Sequence, residues 1–293
     1  MSQSPAVDGV IEQATQRSAQ QLLAWFDRFE QVTVAYSGGV DSALVLAAAV
    51  RALGPAAVRA ITARSPALPL DAWEAAAALA ADLGVSHIGV LTNELDSPGY
   101  SANGADRCYF CKSTLLDAVT AITAVADAGV IVTGTNADDV REGWRPGITA
   151  AAERGALTPL ADLGLTKDEV RAISRAWALP TWSQPASPCL SSRIAYGIPI
   201  TASRLARVDQ AERAVRRELA AHRLPVFNLR VRDLGESVRI EVDADLVAAV
   251  TVLPGLSAAM AEVGFADPSV TVGPFRSGSL NAALPDQLRF ARP

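Results

Sequence analysis

The stretch Val34-Ala35-Tyr36-Ser37-Gly38-Gly39-Val40-Asp41-Ser42 joins a β-branched run to an Ala-rich run of helical length. Glycines let a backbone approach a ligand with its N–H groups converging, and the start of the following helix favours an anion. The stretch therefore predicts a strand-to-helix phosphate loop in which Ser37 and Ser42 add hydroxyl donors. Asp41 would repel phosphate directly, so we expect it to hold Mg²⁺ against the phosphate oxygens. An ordinary Gly-rich turn capped by Ser and Asp is the alternative.

The pattern on either side of this loop alternates short β-branched runs with helical segments from Val32 to about Leu165. That alternation is typical of βαβ units and a parallel sheet, so we predict a Rossmann-like, doubly wound α/β fold. A leading helix is expected at about 10–29, and further helices are expected to begin near Val40, Leu70 and Lys112. The predicted strands are 32–36, 58–62, 87–91 and 130–133.

The second half of the chain changes character after a predicted helix that Thr166 and Glu169 cap and Pro180 ends. A segment rich in Pro and Ser follows, and beyond it we expect a long helix, two strands, two short helices and a last strand. The predicted domains are 1–180, the phosphate-loop domain, and 201–293, a small α+β substrate domain. Residues 181–200, which include Cys189, are predicted to be an active-site loop between them.

Composition narrows the classes of function. The longest apolar run is far shorter than the ~20 residues that a membrane span requires, and residues 1–20 show no secretory pattern, so a cytoplasmic location is expected. A net charge of −5 disfavours a protein that grips a nucleic-acid backbone. Three cysteines in a reducing compartment point to reactivity or metal binding, and two histidines leave little for histidine-based metal chemistry.

The run Ser37-Gly38-Gly39-Val40-Asp41-Ser42 resembles the PP-loop of the ATP pyrophosphatases, which cleave ATP between its α and β phosphates. The resemblance implies that these six residues bind ATP and its Mg²⁺, and we add Ala63 and Asn136, which follow predicted strands, as ATP contacts. For Asn136 a solvated turn is the alternative. A Gly-Lys-Ser/Thr ending is absent, which disfavours simple γ-phosphoryl transfer.

Further motifs resemble the LarE family, the ATP-dependent sulfur transferases of nickel-pincer cofactor synthesis. The motifs that carry the resemblance are Ile61–Pro66, Asp106-Arg107-Cys108-Tyr109-Phe110-Cys111-Lys112, Gly134–Asp139, Arg145-Pro146-Gly147, Pro188-Cys189-Leu190-Ser191-Ser192-Arg193, Arg230-Val231-Arg232, Arg239-Ile240-Glu241 and Arg276–Ser279. They occur in the family's order and span about Val32 to Leu280. Pro188 and Ser191 replace the family's usual small apolar residues beside the central cysteine.

The resemblance implies a small-molecule nucleotide substrate, pyridinium-3,5-biscarboxylic acid mononucleotide, whose carboxylates are adenylated and converted to thiocarboxylates. In one version of the family the central cysteine, here Cys189, gives up its own sulfur and becomes dehydroalanine. In another version three cysteines hold a [4Fe-4S] cluster, a number that Cys108, Cys111 and Cys189 supply. Buried, inert sulfur at a helix start is the alternative for Cys108 and Cys111.

Anion recognition is the role expected of the arginines near the motifs. Guanidinium geometry matches both phosphate and carboxylate, so Arg193, Arg230 and Arg232 are predicted substrate contacts, with Lys112 and Glu212 assigned to the same cleft. The alternatives are two exposed arginines on a strand and a solvated Glu212.

Other functions remain open from the sequence. A PP-loop amidotransferase-type synthetase or tRNA thiolase shares the phosphate loop, and a nucleotide-binding regulator would keep the fold without the chemistry. The family resemblance also suggests a homo-oligomer.

Overall fold

The computed structural model describes residues 5–126, 129–141, 146–185, 189–265 and 269–276, with the side chains of 5–11 and 125–126 excepted. Parts of three sequence motifs therefore lie outside the described residues, namely Arg145, Pro188 and Ser277–Ser279.

A four-stranded parallel sheet organises the first part of the chain, in the order β3-β2-β1-β4. The strands are β1 (Val32–Ala35), β2 (Val58–Arg64), β3 (Ser86–Leu91) and β4 (Val130–Val132). Leu157 forms an isolated parallel bridge with Val132 at the β4 side. From β1 the chain adds β2 and β3 on one side of β1 and later adds β4 on its other side. The segment after β1 therefore lies at the switch point of the sheet, where ligands of open α/β sheets bind. The predicted doubly wound α/β fold is confirmed.

Nine helices are seen in the described residues up to 185, and they cover both faces of this sheet. They are α1 (Pro5–Phe26), α2 (Val40–Leu53), α3 (Leu70–Asp82), α4 (Pro98–Ser101), α5 (Arg107–Ala126), α6 (Ala137–Arg141), α7 (Pro146–Glu153), α8 (Pro159–Asp162) and α9 (Lys167–Ala176).

Two apolar clusters show which helices pack on which face. Val34 belongs to the cluster that contains residues of α1, α2 and α9, and Ala35 belongs to the cluster with Leu116 of α5 and Ala151 of α7. Successive residues of a strand point to opposite faces, so the two clusters lie on the two sides of the sheet. Both faces are thus buried, as a parallel sheet requires.

The C-terminal part has its own three-stranded sheet and its own core. It contains α10 (Ala202–Ala221), β5 (Leu229–Asp233), β6 (Ser237–Val242), α11 (Val247–Thr251), α12 (Leu256–Glu262) and β7 (Ser269–Pro274). β6 pairs antiparallel with β5 and parallel with β7. Val215 of α10, Met260 of α12 and Ile240 of β6 are fully buried in the core. The predicted order of elements is confirmed, whereas the domain boundaries remain a prediction.

The main correction concerns α5, which begins at Arg107 and not near Lys112. The pair Cys108 and Cys111 therefore lies in the first turns of a helix, where residues three apart share a face. The leading helix also starts earlier than expected, at Pro5, and ends at Phe26. The short helices α4, α6, α7 and α8 are too brief to produce a readable apolar period, so the sequence pattern did not reveal them.

Among the described residues, no single helix is both long enough and apolar enough to cross a membrane. Two segments, Ala244–Thr251 and Leu256–Glu262, reach that length and apolar character only together, and they are bent by 85° relative to each other.

Candidate active site

The phosphate loop lies at the carboxyl end of β1 and leads into α2. Gly39 is the N-cap residue of α2, so the free N–H groups of the first turn point toward the loop. The Ser37 and Ser42 hydroxyls are 3.0 Å apart, and the Ser42 hydroxyl also accepts from the Ser37 N–H at 3.2 Å. Gly38 has φ +76°, and a Cβ there would come within 2.8 Å of the Ala76 Cβ. The loop therefore requires glycine and presents N–H and O–H donors suited to phosphate.

Asp41 is held in place from two sides. The Asn136 side-chain amide donates to Asp41 Oδ1 at 3.0 Å, and the Lys167 ammonium lies 2.5 Å from Asp41 Oδ2. A single carboxylate beside a phosphate site fits the way proteins hold Mg²⁺, which takes most of its other ligands from phosphate and water. Asp41 is thus able to hold the Mg²⁺ of bound ATP once Lys167 turns to a phosphate oxygen.

Asn136 lies near the phosphate loop, and it also stabilises the start of α6. Its side-chain oxygen accepts the N–H groups of Asp138 and Asp139 at 2.9 and 3.0 Å and so caps α6. The capped turn fixes the amide that reaches Asp41. The solvated-turn alternative is wrong for Asn136, because the residue is 2% exposed.

Sequence reasoning missed Lys167. Thr166 and Glu169 form the expected capping box at the start of α9, and Lys167 is the first helical residue after that cap. Its N–H donates to Asp138 Oδ2 at 2.7 Å, which anchors the start of α9 beside α6. The available signal was a lysine at a capped helix start, but only the tertiary fold brings it to Asp41, 126 residues away.

Ala63 and Gly134 show how closely the neighbouring strands approach the loop. Ala63 lies near the end of β2, half-buried and in register with Val90 of β3, so its predicted ATP contact falls at the same sheet edge as the loop. A Cβ at Gly134, which follows β4, would come within 2.6 Å of the Ser42 backbone nitrogen. Residue 134 must therefore be glycine for α2 to begin where it does.

The segment that carries Cys189 reaches the same edge of the sheet. Cys189 is the N-cap of a 3-10 turn, Leu190–Arg193, and the Leu190 N–H donates to the carbonyl of Ala67, three residues beyond β2. Because β1 and β2 are parallel neighbours, their carboxyl ends meet at one edge. Cys189 and the phosphate loop therefore face the same side of the α/β sheet.

The three thiols converge on one region. Cys111 and Cys189 pack against the same apolar cluster, which includes Tyr100, whereas Cys108 is exposed. Burial raises the pKa of the Cys111 thiol, and the nearby Cys189, Glu94 and Cys108 side chains raise it further, while the Lys112 ammonium opposes them. The structure thus brings the three predicted cysteines together, with Cys111 kept as a thiol.

To hold an iron–sulfur cluster, the thiols of Cys108, Cys111 and Cys189 must be arranged so that all three bind the same cluster. The donor chemistry of three thiols suits [4Fe-4S] ligation. Nevertheless, in the described residues, which include all three cysteines, no group of three His, Cys, Asp or Glu side chains is arranged to hold a metal ion. The arrangement of these thiols does not fit a cluster as it stands.

Two of the predicted arginines hold the turn that Cys189 begins. Arg193 Nη1 donates to the Cys189 carbonyl at 3.1 Å, and Arg232 Nη1 donates to the Ser192 carbonyl at 2.6 Å. Arg230 lies on the same strand face as Arg232, and both are nearly fully buried. The structure therefore places Arg193 and Arg232 against the cysteine-bearing turn, with Arg230 two residues before Arg232 on β5. The alternative of exposed arginines on a strand is wrong.

Two glutamates pair with two of these arginines. Glu212 of α10 accepts from Arg193 Nε at 2.8 Å and from the Val231 N–H at 3.1 Å, and Glu241 accepts from Arg232. Burial first, and then the positive charge of Arg193, lowers the pKa of Arg230 to about 10. The three guanidinium groups have the geometry that matches phosphate and carboxylate.

The position of Glu212 corrects a second expectation. A solvated Glu212 was the more favoured alternative, but the residue is 7% exposed and forms an ion pair with Arg193. Lys112 is half-buried in α5 next to Cys111, and burial lowers the pKa of its ammonium. Lys112 therefore belongs to the region of the thiols and not to the arginine group.

Comparison with known proteins gives three findings. The NAD synthase family model matches residues 19–98, which contain the phosphate loop. The uncharacterized protein slr1717 of Synechocystis sp. is 41% identical over 90% of this chain and 96% of its own length. The pyridinium-3,5-bisthiocarboxylic acid mononucleotide synthase of Lactiplantibacillus plantarum is 30% identical over 90% of this chain and 93% of its own length.

Proposed function

This chain belongs to the LarE family of ATP-dependent sulfur transferases, and on that premise we propose that it converts pyridinium-3,5-biscarboxylic acid mononucleotide to its thiocarboxylate with sulfur from Cys189. The observation that carries the proposal is the position of Cys189. Its carbonyl accepts from Arg193, one of three buried arginines in this part of the chain, at the sheet edge that also bears the phosphate loop.

The first half-reaction is adenylation. The phosphate loop binds the ATP phosphates through its N–H and hydroxyl groups, and Asp41 would hold the Mg²⁺ that accompanies ATP, which would supply positive charge to the phosphates. A substrate carboxylate oxygen attacks the α-phosphorus, and the bond to the bridging oxygen breaks, so pyrophosphate leaves with the electron pair. The Lys167 ammonium, which lies beside Asp41, stabilises the charge that develops on pyrophosphate.

The second half-reaction transfers sulfur. Deprotonated Cys189 sulfur attacks the acyl carbon of the mixed anhydride, a C–S bond forms, and AMP leaves with the electrons of the C–O bond. A base then removes the Cys189 Cα proton, the Cα–H electrons form the Cα=Cβ bond, and the Cβ–S bond breaks. The sulfur leaves as thiocarboxylate, and residue 189 becomes dehydroalanine.

Substrate recognition follows from charge. The substrate is a nucleotide with a phosphate and two carboxylates, and Arg193, Arg230 and Arg232 are the buried cations that we assign to these anionic groups. Arg232 and Arg193 also fix the loop carbonyls, so ligand binding and loop position are linked. Glu212 orients Arg193 and does not touch the substrate in this proposal.

A cluster-dependent route is the second candidate, favoured by the convergence of Cys108 and Cys111 on Cys189. If those three thiols held a [4Fe-4S] cluster after local rearrangement, the cluster would supply sulfide in place of the Cys189 sulfur. Because the present arrangement does not fit a cluster, no step above depends on one.

The test measures both half-reactions on the wild type and on Cys189→Ser. With ATP, Mg²⁺ and the dicarboxylate nucleotide, the wild type should release pyrophosphate and form thiocarboxylate, with loss of one sulfur and two hydrogens from residue 189 by mass spectrometry. The serine variant should release pyrophosphate and form no thiocarboxylate. Thiocarboxylate from the serine variant would reject Cys189 as the donor.

Iron content separates the two sulfur sources. Anaerobically purified protein should contain no iron, and residue 189 should be consumed once per sulfur transferred. About four irons per chain, lost in Cys108→Ala and Cys111→Ala, together with an unchanged residue 189 after turnover, would establish the cluster route.

A further inference from the structure

Asn103 connects the start of α5 with the segment that follows Cys189. It is fully buried between α4 and α5. Its side-chain N–H groups donate to the carbonyls of Ala195 at 2.8 Å and Ile198 at 2.9 Å, with a longer contact to Ile194 at 3.4 Å. Its own carbonyl accepts the Gly197 N–H at 3.2 Å. The side chain and the backbone carbonyl of Asn103 together therefore hold the segment 194–198 in place.

Arg107 holds Asn103 in turn. Arg107 Nη1 donates to Asn103 Oδ1 at 2.6 Å, which leaves the amide nitrogen facing the loop carbonyls. The guanidinium lies 4.6 Å from the centre of the Tyr196 ring, so it contacts the pinned segment as well. Arg107 is the first residue of α5 and precedes Cys108.

The pinned segment directly follows the 3-10 turn that Cys189 caps. On its other side the segment is tied to the C-terminal sheet, because the Ala195 N–H donates to the Asp233 carbonyl and Ile194 forms a bridge with Asp233. Further along, the Ile200 N–H donates to the Ser101 carbonyl. The position of Cys189 relative to the α/β sheet therefore depends on the contacts made by the residues between α4 and α5.

We propose that Asn103, oriented by Arg107, is a positioning residue that sets Cys189 against the activated acyl group and so governs the sulfur-transfer step apart from adenylation. This inference rests on the proposed function. A nucleophile must lie within ~3–3.5 Å of its target, and a displacement of about 1 Å can cost a factor of ~100. In contrast, the described hydrogen bonds of Asn103 involve residues 100–107 and 194–198 and none of the phosphate loop.

The sharpest variant is Asn103→Asp. Aspartate has the same size and tolerates the left-handed backbone of this position, where φ is +55°. One carboxylate oxygen of the aspartate still accepts from Arg107. The other oxygen replaces the amide N–H₂ group and faces the Ala195 and Ile198 carbonyl oxygens, so two hydrogen bonds become repulsive oxygen–oxygen contacts. Asn228→Asp is the matched control, because Asn228 also donates its amide to an acceptor, Asp243 Oδ1 at 2.6 Å.

Two measurements report on the position of Cys189 without any substrate. Iodoacetamide alkylation of Cys189 should change at least about tenfold in Asn103→Asp, and amide hydrogen exchange at Gly197 and Ile200 should accelerate by a similar factor. Neither should change in Asn228→Asp. If either substrate-free measurement is the same in Asn103→Asp as in the wild type, the proposal is overturned.

With ATP and the dicarboxylate nucleotide, Asn103→Asp should release pyrophosphate within about twofold of the wild-type rate and form thiocarboxylate roughly 10–100 times more slowly. A parallel fall of both half-reactions would mean a purely structural role and would refute the inference. If Asn103→Asp does not fold, Arg107→Met is used in its place, because it removes only the hydrogen bond that orients the Asn103 amide. The same alkylation, exchange and activity measurements then test the proposal. Should the wild type itself release no pyrophosphate with this substrate, the proposed function fails, whereas alkylation and exchange still decide the role of Asn103.

Discussion

The buried ion pair between Arg193 and Glu212 allows a quantitative test of the arginine group. The side chains are 2% and 9% exposed, and the Glu212 carboxylate accepts from Arg193 Nε at 2.8 Å, from Arg193 Nη2 at 3.3 Å and from the Val231 N–H at 3.1 Å. Glu212→Gln keeps one oxygen in place but turns an amide N–H₂ toward Arg193 Nη2. It also removes one negative charge from beside the buried arginines.

The expected cost is about 3 kcal/mol of unfolding free energy. Removing one partner of a buried pair costs ~3–5 kcal/mol, and the glutamine oxygen retains part of that interaction. Urea denaturation of Glu212→Gln measures the loss. Asp209→Asn on the same helix is the matched control: its partner Arg213 is 43% exposed, so this pair contributes only ~0–1 kcal/mol. Burial also raises the pKa of Asp209, which means that the folded protein does not favour the charged form.

Phosphate supplies the second measurement. An anion that binds only the folded protein stabilises it by mass action, and the Gln variant has one negative charge fewer beside these arginines than the wild type. Added inorganic phosphate should therefore restore more stability to Glu212→Gln than it adds to the wild type. A loss below about 1 kcal/mol, or an equal phosphate effect on both proteins, would refute the reasoning about this charge group.

Three shorter predictions concern the rest of the site. Lys167→Met should reduce pyrophosphate release at least about 100-fold, because it removes the cation that reaches Asp41 and the phosphates; a smaller loss contradicts its role. Gly134→Ala should lower ATP affinity and thermal stability, since its Cβ would lie 2.6 Å from the Ser42 nitrogen. Alkylation of Cys111 by iodoacetamide should be slow at neutral pH and accelerate as the pH rises, because a raised pKa keeps the thiol protonated through neutrality.

Matched controls exist for each of these. Lys167→Arg keeps the charge and should retain more activity than the methionine variant. Gly155→Ala tests a glycine whose Cβ would meet nothing within 4 Å, so it should leave ATP affinity unchanged while Gly134→Ala does not. Cys108, which is exposed, serves as the internal comparison for Cys111 and should be alkylated first at neutral pH. Equal rates for the two thiols would contradict the burial of Cys111.

The fold was readable because its signals are local. The β-branched runs and Ala-rich segments have the periods of strand and helix, and Thr166 with Glu169 forms the cap that their spacing predicts. The misplaced start of α5 shows the limit. Asp106 precedes the helix and is of a type that commonly caps helices, but Tyr109 does not complete a capping box, and the start was predicted five residues late. Similarly, α6 is five residues long, and its cap, Asn136, is also compatible with a turn.

By itself, the sequence determined the phosphate loop, the cysteine of the central segment and the arginine motifs, because each is a contiguous run whose chemistry depends on residue type and short spacing. Only the tertiary structure decided which charges meet. Lys167 contacts Asp41, which lies 126 residues away in the sequence. Glu212, which the sequence favours as a solvated residue, is the buried partner of Arg193. Asn103 holds a segment more than 90 positions away. The physical reason is that burial and pairing are properties of packed elements, and the energy of a charge or an amide depends on the neighbours that packing brings to it.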